Sequence, residues 1–113
     1  DLDSLPTPDF SEYYGQFEHY APDSLLAKNI ALPYESSPGC WWGQRHHCTF
    51  CGLNGETMAF RAKSASRVIA DLQHLLKQHP TAFVSMVDNI MPHEFFRTLI
   101  PRLRTVLPGV SLF

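Results

Sequence analysis

Cys40, Cys48 and Cys51 are the only cysteines in this 113-residue chain, and all three lie between Gly39 and Gly52 in a Cys-x7-Cys-x2-Cys array. Two intervening residues let a tight turn bring the sulfurs of Cys48 and Cys51 together. The longer gap lets Cys40 fold back from the other side, so all three reach one metal centre. An odd, clustered count cannot form a disulfide framework, and thiolates on a metal in a reducing cytoplasm fit it better. Three thiolates satisfy three irons of a four-iron cluster and leave the fourth open for a substrate or cofactor. Two other chemistries stand beside this one. His46 and His47 adjoin the cysteines, so a structural zinc site of Cys3His type is possible. Cys48 and Cys51 alone resemble a redox pair, but such a pair opens a helix, which Gly52-Leu53-Asn54-Gly55 opposes.

The elements around this loop must position it. Ile30 to Ser36 reads as a short strand with Pro33 at its edge or start, and the cysteines follow its carboxyl end, where α/β folds collect ligand sites. Ala65, Val68, Ile69, Leu72, Leu75 and Leu76 fall at the spacings of an amphipathic helix, with Ser64 as N-cap and His79-Pro80 as the stop. Thr81 to Val87 is a compact apolar run that reads as a strand buried on both faces and closed by Asp88-Asn89. A second helix is expected over Pro92 to Leu107, kinked or shortened by Pro101, and Val110 opens another strand. Strand, loop, helix, strand, helix, strand implies parallel βαβ units and an α/β class. Upstream, Phe10, Tyr13, Tyr14 and Phe17 are spaced as on one face of a short helix, with Gly15 weakening it. They are expected to pack against a neighbouring domain.

Composition narrows the class. At 44% hydrophobic and 18% charged the chain is an ordinary globular domain, which excludes collagen, coiled coil and wholesale disorder. Its longest strongly apolar uncharged stretch, Thr81 to Val87, falls far short of the ~20 residues of a membrane-spanning helix. Asp1 to Cys40 holds seven acids and one base, and the remainder eight bases and four acids. That asymmetry marks two segments with different surroundings, and it makes no basic stripe for nucleic acid. The acidic start without Met and the strand beginning at Val110 lead us to expect a fragment of a larger protein, of marginal stability alone.

Taken together, Tyr34-Glu35-Ser36-Ser37-Pro38-Gly39-Cys40-Trp41-Trp42-Gly43-Gln44, the run from Cys48 through Phe50 and Cys51 to Gly55, Phe60-Arg61-Ala62-Lys63-Ser64 and Val87-Asp88-Asn89-Ile90 resemble a known family. They are similar to the cobalamin-dependent radical S-adenosylmethionine (SAM) enzymes that mature ribosomally made, bacteriocin-type peptides, including C-methyltransferases. The likeness covers nearly the whole chain. Seven residues in the first cysteine gap depart from the commonest Cys-x3-Cys-x2-Cys spacing, but with Trp41-Trp42-Gly43-Gln44 they match the peptide-maturase subgroup. Val87-Asp88-Asn89 stands where Gly-Gly-Glu is usual.

The resemblance implies that residues 1–29 are a linker after a cobalamin-binding domain. Residues 30–113 would then be the N-terminal βαβα portion of a partial (β/α)6 barrel. It implies Cys40, Cys48 and Cys51 as ligands of a 4Fe-4S cluster, with the amine and carboxylate of SAM on the open iron. Phe50 would lie beside the adenine, and Asp88 and Asn89 would bind the methionyl amine or the ribose. No protein acid or base is assigned. A precursor peptide as substrate, a reductant protein, and cobalamin held mainly outside this chain complete the implied set, in a cytoplasmic enzyme. Oxidation, epimerisation or cross-linking of the peptide are the alternatives to methylation. Elsewhere, Arg61, Lys63 and Arg67 are expected to be solvated, and His74, His79 and His93 to lie at the surface. Trp41 and Trp42 either shield the cluster or pack the loop, and Glu35 has no assigned role.

Overall fold

The computed structural model describes residues 1–24, 30–53 and 58–113. A short 3-10 turn (Leu2–Ser4) precedes helix α1 (Ser11–Tyr20). Strand β1 (Leu32–Tyr34), helix α2 (Ala65–Gln78), strand β2 (Phe83–Met86), the short helices α3 (Phe95–Thr98) and α4 (Ile100–Val106), and strand β3 (Ser111–Leu112) follow. The three strands form a parallel sheet in the order β1-β2-β3. Leu32 and Tyr34 lie opposite Val84 and Met86, and Phe83 and Val84 opposite Ser111 and Leu112. The fold is thus mixed α/β, as the alternation of elements predicts.

Helix α2 forms where the spacing places it. The Ser64 side chain accepts a hydrogen bond from the Arg67 N–H at the N-cap, and the His79 N–H closes the last turn on Leu75. Its apolar stripe, Val68, Ile69, Leu72 and Leu75, packs on Leu32, Tyr34 and Val84 of the sheet. Phe95, Leu99 and Leu107 extend the same core. Pro101 resolves the expected long helix into two pieces. It stands in the first turn of α4, where its missing N–H has no intrahelical role.

The β2 strand differs from the expectation of burial on both faces. Val84 is fully buried, but Phe83 is 39% and Val87 51% exposed. Among the described residues the helices cover one face only. Pro33, Glu35, Phe83, Val87 and Phe113 lie on alternate, exposed positions of the other. The aromatic stripe also differs in part. Phe10 and Tyr14 pack against this chain's own core, and Tyr14 stacks on His79 with ring centres 4.2 Å apart. Tyr13 and Tyr20 remain largely exposed. Burial raises the Tyr14 phenol above its ordinary value, with Tyr13 adding to the shift. Within the segment read as a linker, residues 25–29 lie outside the described residues.

Candidate metal centre

The cysteine loop leaves β1 and returns to α2 through an antiparallel ribbon. Lys63 N–H donates to Ser36 O at 2.9 Å, Arg61 N–H to Pro38 O at 3.0 Å, and Cys40 N–H to Met58 O at 3.1 Å. Gly39 makes the close approach possible. Its φ of +87° lies in the left-handed region, and a Cβ there would sit 2.3 Å from the Ala59 carbonyl oxygen. Beyond the ribbon, Gln44 and His46 N–H groups bond back to Cys40 and Trp42 carbonyls in one helical turn, which starts on the first cysteine. Cys51 N–H donates to Cys48 O at 3.1 Å, the tight turn that the two-residue spacing predicts.

All three cysteines are free and half-buried. The Gly43 N–H points at Cys40 Sγ from 3.2 Å, the kind of backbone donor that a metal-bound sulfur accepts. Among the described residues, no three His, Cys, Asp or Glu side chains converge to metal-binding geometry. Cys40, Cys48 and Cys51 therefore share a loop but do not form the three-ligand group that their spacing predicts. Their chemistry fits a 4Fe-4S cluster with one open iron or, with a histidine, a zinc ion. His46 and His47 are exposed, and His47 Nε2 lies 2.8 Å from Leu53 O. Asn54 and Gly55 of the resembling motif lie outside the described residues.

The other expected cofactor contacts fall differently. Phe50 is 92% exposed at the loop tip, and Asn89 is exposed after β2. Asp88 has its carboxylate engaged. Oδ1 accepts from the N–H groups of Ser36 and Ser37, and Oδ2 from Ser36 Oγ, at 2.5 to 2.8 Å. Asp88 thus ties the end of β2 to the turn that starts the loop. It also borders a cavity of about 600 Å³ against α3 and α4, whose walls include Met86, Leu99 and Leu103. Trp41 packs the loop against the next connection, donating to Met91 O at 3.2 Å and lying 4.5 Å from the His93 ring. Trp42 is 48% exposed.

A second cluster was not foreseen. Asp71 is 1% exposed, and its Oδ2 meets Lys63 Nζ at 2.8 Å and Tyr34 Oη at 2.7 Å. Its Oδ1 meets Arg67 at 2.9 Å and Thr7 Oγ1 at 2.7 Å. Lys63 and Arg67, expected to be solvated, are instead ion-paired because Asp71 needs counter-charges inside the protein. Burial works to raise the Asp71 pKa, but hydrogen bonds from Lys63, Thr7, Tyr34 and Arg67 outweigh it and hold it at about 2. Burial and the bond to Asp71 push the Tyr34 phenol far up, so it stays neutral. One signal was legible. Asp71 stands three residues after Val68 and four before Leu75, on the buried side of α2. Nothing in the sequence marks Thr7. His79 is also corrected. It is 9% exposed, because α1 lays Tyr14 over its ring.

Comparison with known proteins adds no family to this geometry: no family model, curated protein or solved structure matches the chain. Among the described residues no helix is long and apolar enough to cross a membrane.

Proposed function

We propose that this chain is the cluster-binding opening of a radical SAM enzyme that modifies a ribosomally made peptide, with C-methylation by cobalamin held elsewhere as the reaction. The supporting observation is the placement of three free, half-buried thiols on one loop that leaves the carboxyl end of β1 in a parallel sheet. A four-iron cluster there, with one iron open, supplies one-electron cleavage of SAM when bound. In this reading Cys40, Cys48 and Cys51 hold the metal, and Trp41 anchors the loop to Met91 and His93. Asp88 acts through Ser36 and Ser37, holding the start of the loop in register with β2. Phe50, exposed at the tip, is free to cover a planar ligand.

The test is anaerobic reconstitution of the whole protein with iron and sulfide, followed by electron paramagnetic resonance of the reduced sample with and without SAM. A four-iron signal that changes on addition of SAM is expected, and Cys48→Ala should abolish SAM cleavage. No cluster, with one tightly held zinc per chain, makes the loop a structural zinc module instead.

A further inference from the structure

We propose that Asp71 is a positioning residue that couples the N-terminal segment to the base of the cysteine loop. The inference rests on the proposed function for what the loop carries, and on hydrogen bonds alone for the coupling. One carboxylate serves two parts of the chain. Through Oδ1 it holds Thr7 of the N-terminal segment and Arg67, and Arg67 in turn reaches Leu5 O at 2.7 Å and Thr7 Oγ1 at 3.2 Å. Through Oδ2 it holds Tyr34 at the end of β1 and Lys63.

Lys63 is the first rung of the ribbon that closes the loop, and Cys40 is the third. Asp3 adds a parallel tie, its carboxylate accepting the Ser64 N–H at 2.8 Å next to Lys63. A displacement of the segment around Thr7 therefore turns the Asp71 carboxylate, loosens Lys63, and frees the ribbon that sets where Cys40 stands. Because Asp71, Tyr34 and Lys63 are all buried, water is poorly placed to replace a lost partner. What precedes β1 in the chain is thereby linked to the thiols without touching them.

The experiment compares Thr7→Val with Thr7→Ser in the whole protein by amide hydrogen exchange on the metal-free form. The valine removes the hydroxyl's bond to the carboxylate and the bond that Arg67 donates to the hydroxyl, and leaves both ion pairs in place. Exchange at the Cys40, Arg61 and Lys63 amides should rise on the order of tenfold or more, since each of the two lost hydrogen bonds has a charged partner. Amides of α2 such as Leu72 should stay unchanged, and Thr7→Ser should behave as wild type. Equal acceleration of the loop base and α2 would mean that Thr7 only stabilises the fold. That outcome, or no acceleration at the loop base, overturns the coupling. Since exchange is read without metal, failure of the wild-type protein to take up a cluster refutes the proposed function alone.

Discussion

Replacing Asp71 by asparagine tests whether the buried cluster holds the domain together. The carboxylate accepts from four donors, two of them cations, and only 1% of Asp71 and 8% of Lys63 is exposed. Asparagine keeps one accepting oxygen and turns an amide N–H2 toward donors that need an acceptor. It also leaves Lys63 buried without its counter-charge. Breaking such a pair costs about 3–5 kcal/mol. The assay is urea unfolding followed by the fluorescence of Trp41 and Trp42, at neutral pH and again toward pH 2. The sign of the pH effect follows from the lowered pKa. Asp71 in the folded protein titrates at about 2 against an ordinary 3.8, so its contribution is full above about pH 4 and is lost as pH falls toward 2. That shift corresponds to about 2 kcal/mol, so the gap between wild type and Asp71→Asn should narrow by roughly that much across the window. A variant within about 1 kcal/mol of wild type at neutral pH, or a gap that stays constant on acidification, refutes the reasoning.

Two further perturbations bear on the loop. Asp88→Ala strips the acceptor from the N–H groups of Ser36 and Ser37, both fully buried, and should cost about 2–4 kcal/mol by urea unfolding, with Asp88→Asn between it and wild type. If Asp88→Asn leaves stability unchanged and weakens only the binding of SAM, the structural role assigned to the carboxylate is wrong. Gly39→Ala forces a side chain into a left-handed backbone and against the Ala59 carbonyl, and should cost more than about 2 kcal/mol while raising the reactivity of Cys40 toward a thiol reagent. Unchanged stability and reactivity would mean that the ribbon does not close the loop.

The sequence made the periodic elements legible and hid the contacts between distant ones. Helix α2 was readable to its cap because Ser64, the apolar stripe and His79 are local signals. The break at Pro101 was readable for the same reason. The exposure of Phe83 and Val87 was not, because an apolar run states what a strand can bury but not whether a second layer is there to bury it. His79 and Lys63 were misjudged for a related reason. Each is polar by type, and each is buried by a partner that its own position does not announce: Tyr14, far away in the chain, lies over His79, and Asp71 on the buried side of α2 pairs with Lys63. In the loop, the cysteines and their spacing were plain, but the tie from Asp88 to Ser36 and Ser37 spans about fifty residues and leaves no pattern.

Those hidden ties divide the loop into two regimes. Of the two strands of its base, the one from Ser36 to Cys40 is clamped by Asp88 and the one from Met58 to Lys63 by Asp71, so both are fixed to the sheet and α2 by separate carboxylates. Among the described residues of the tip, no carboxylate makes such a clamp. His46, His47 and Phe50 are exposed, and the three thiols do not converge. A metal that draws Cys40, Cys48 and Cys51 together has to act on a base already held by these two carboxylates. In small zinc-dependent domains, by contrast, metal binding and folding are one event. On the proposed reading this arrangement suits a catalytic cluster. The clamped base sets where the centre would lie relative to the parallel strands.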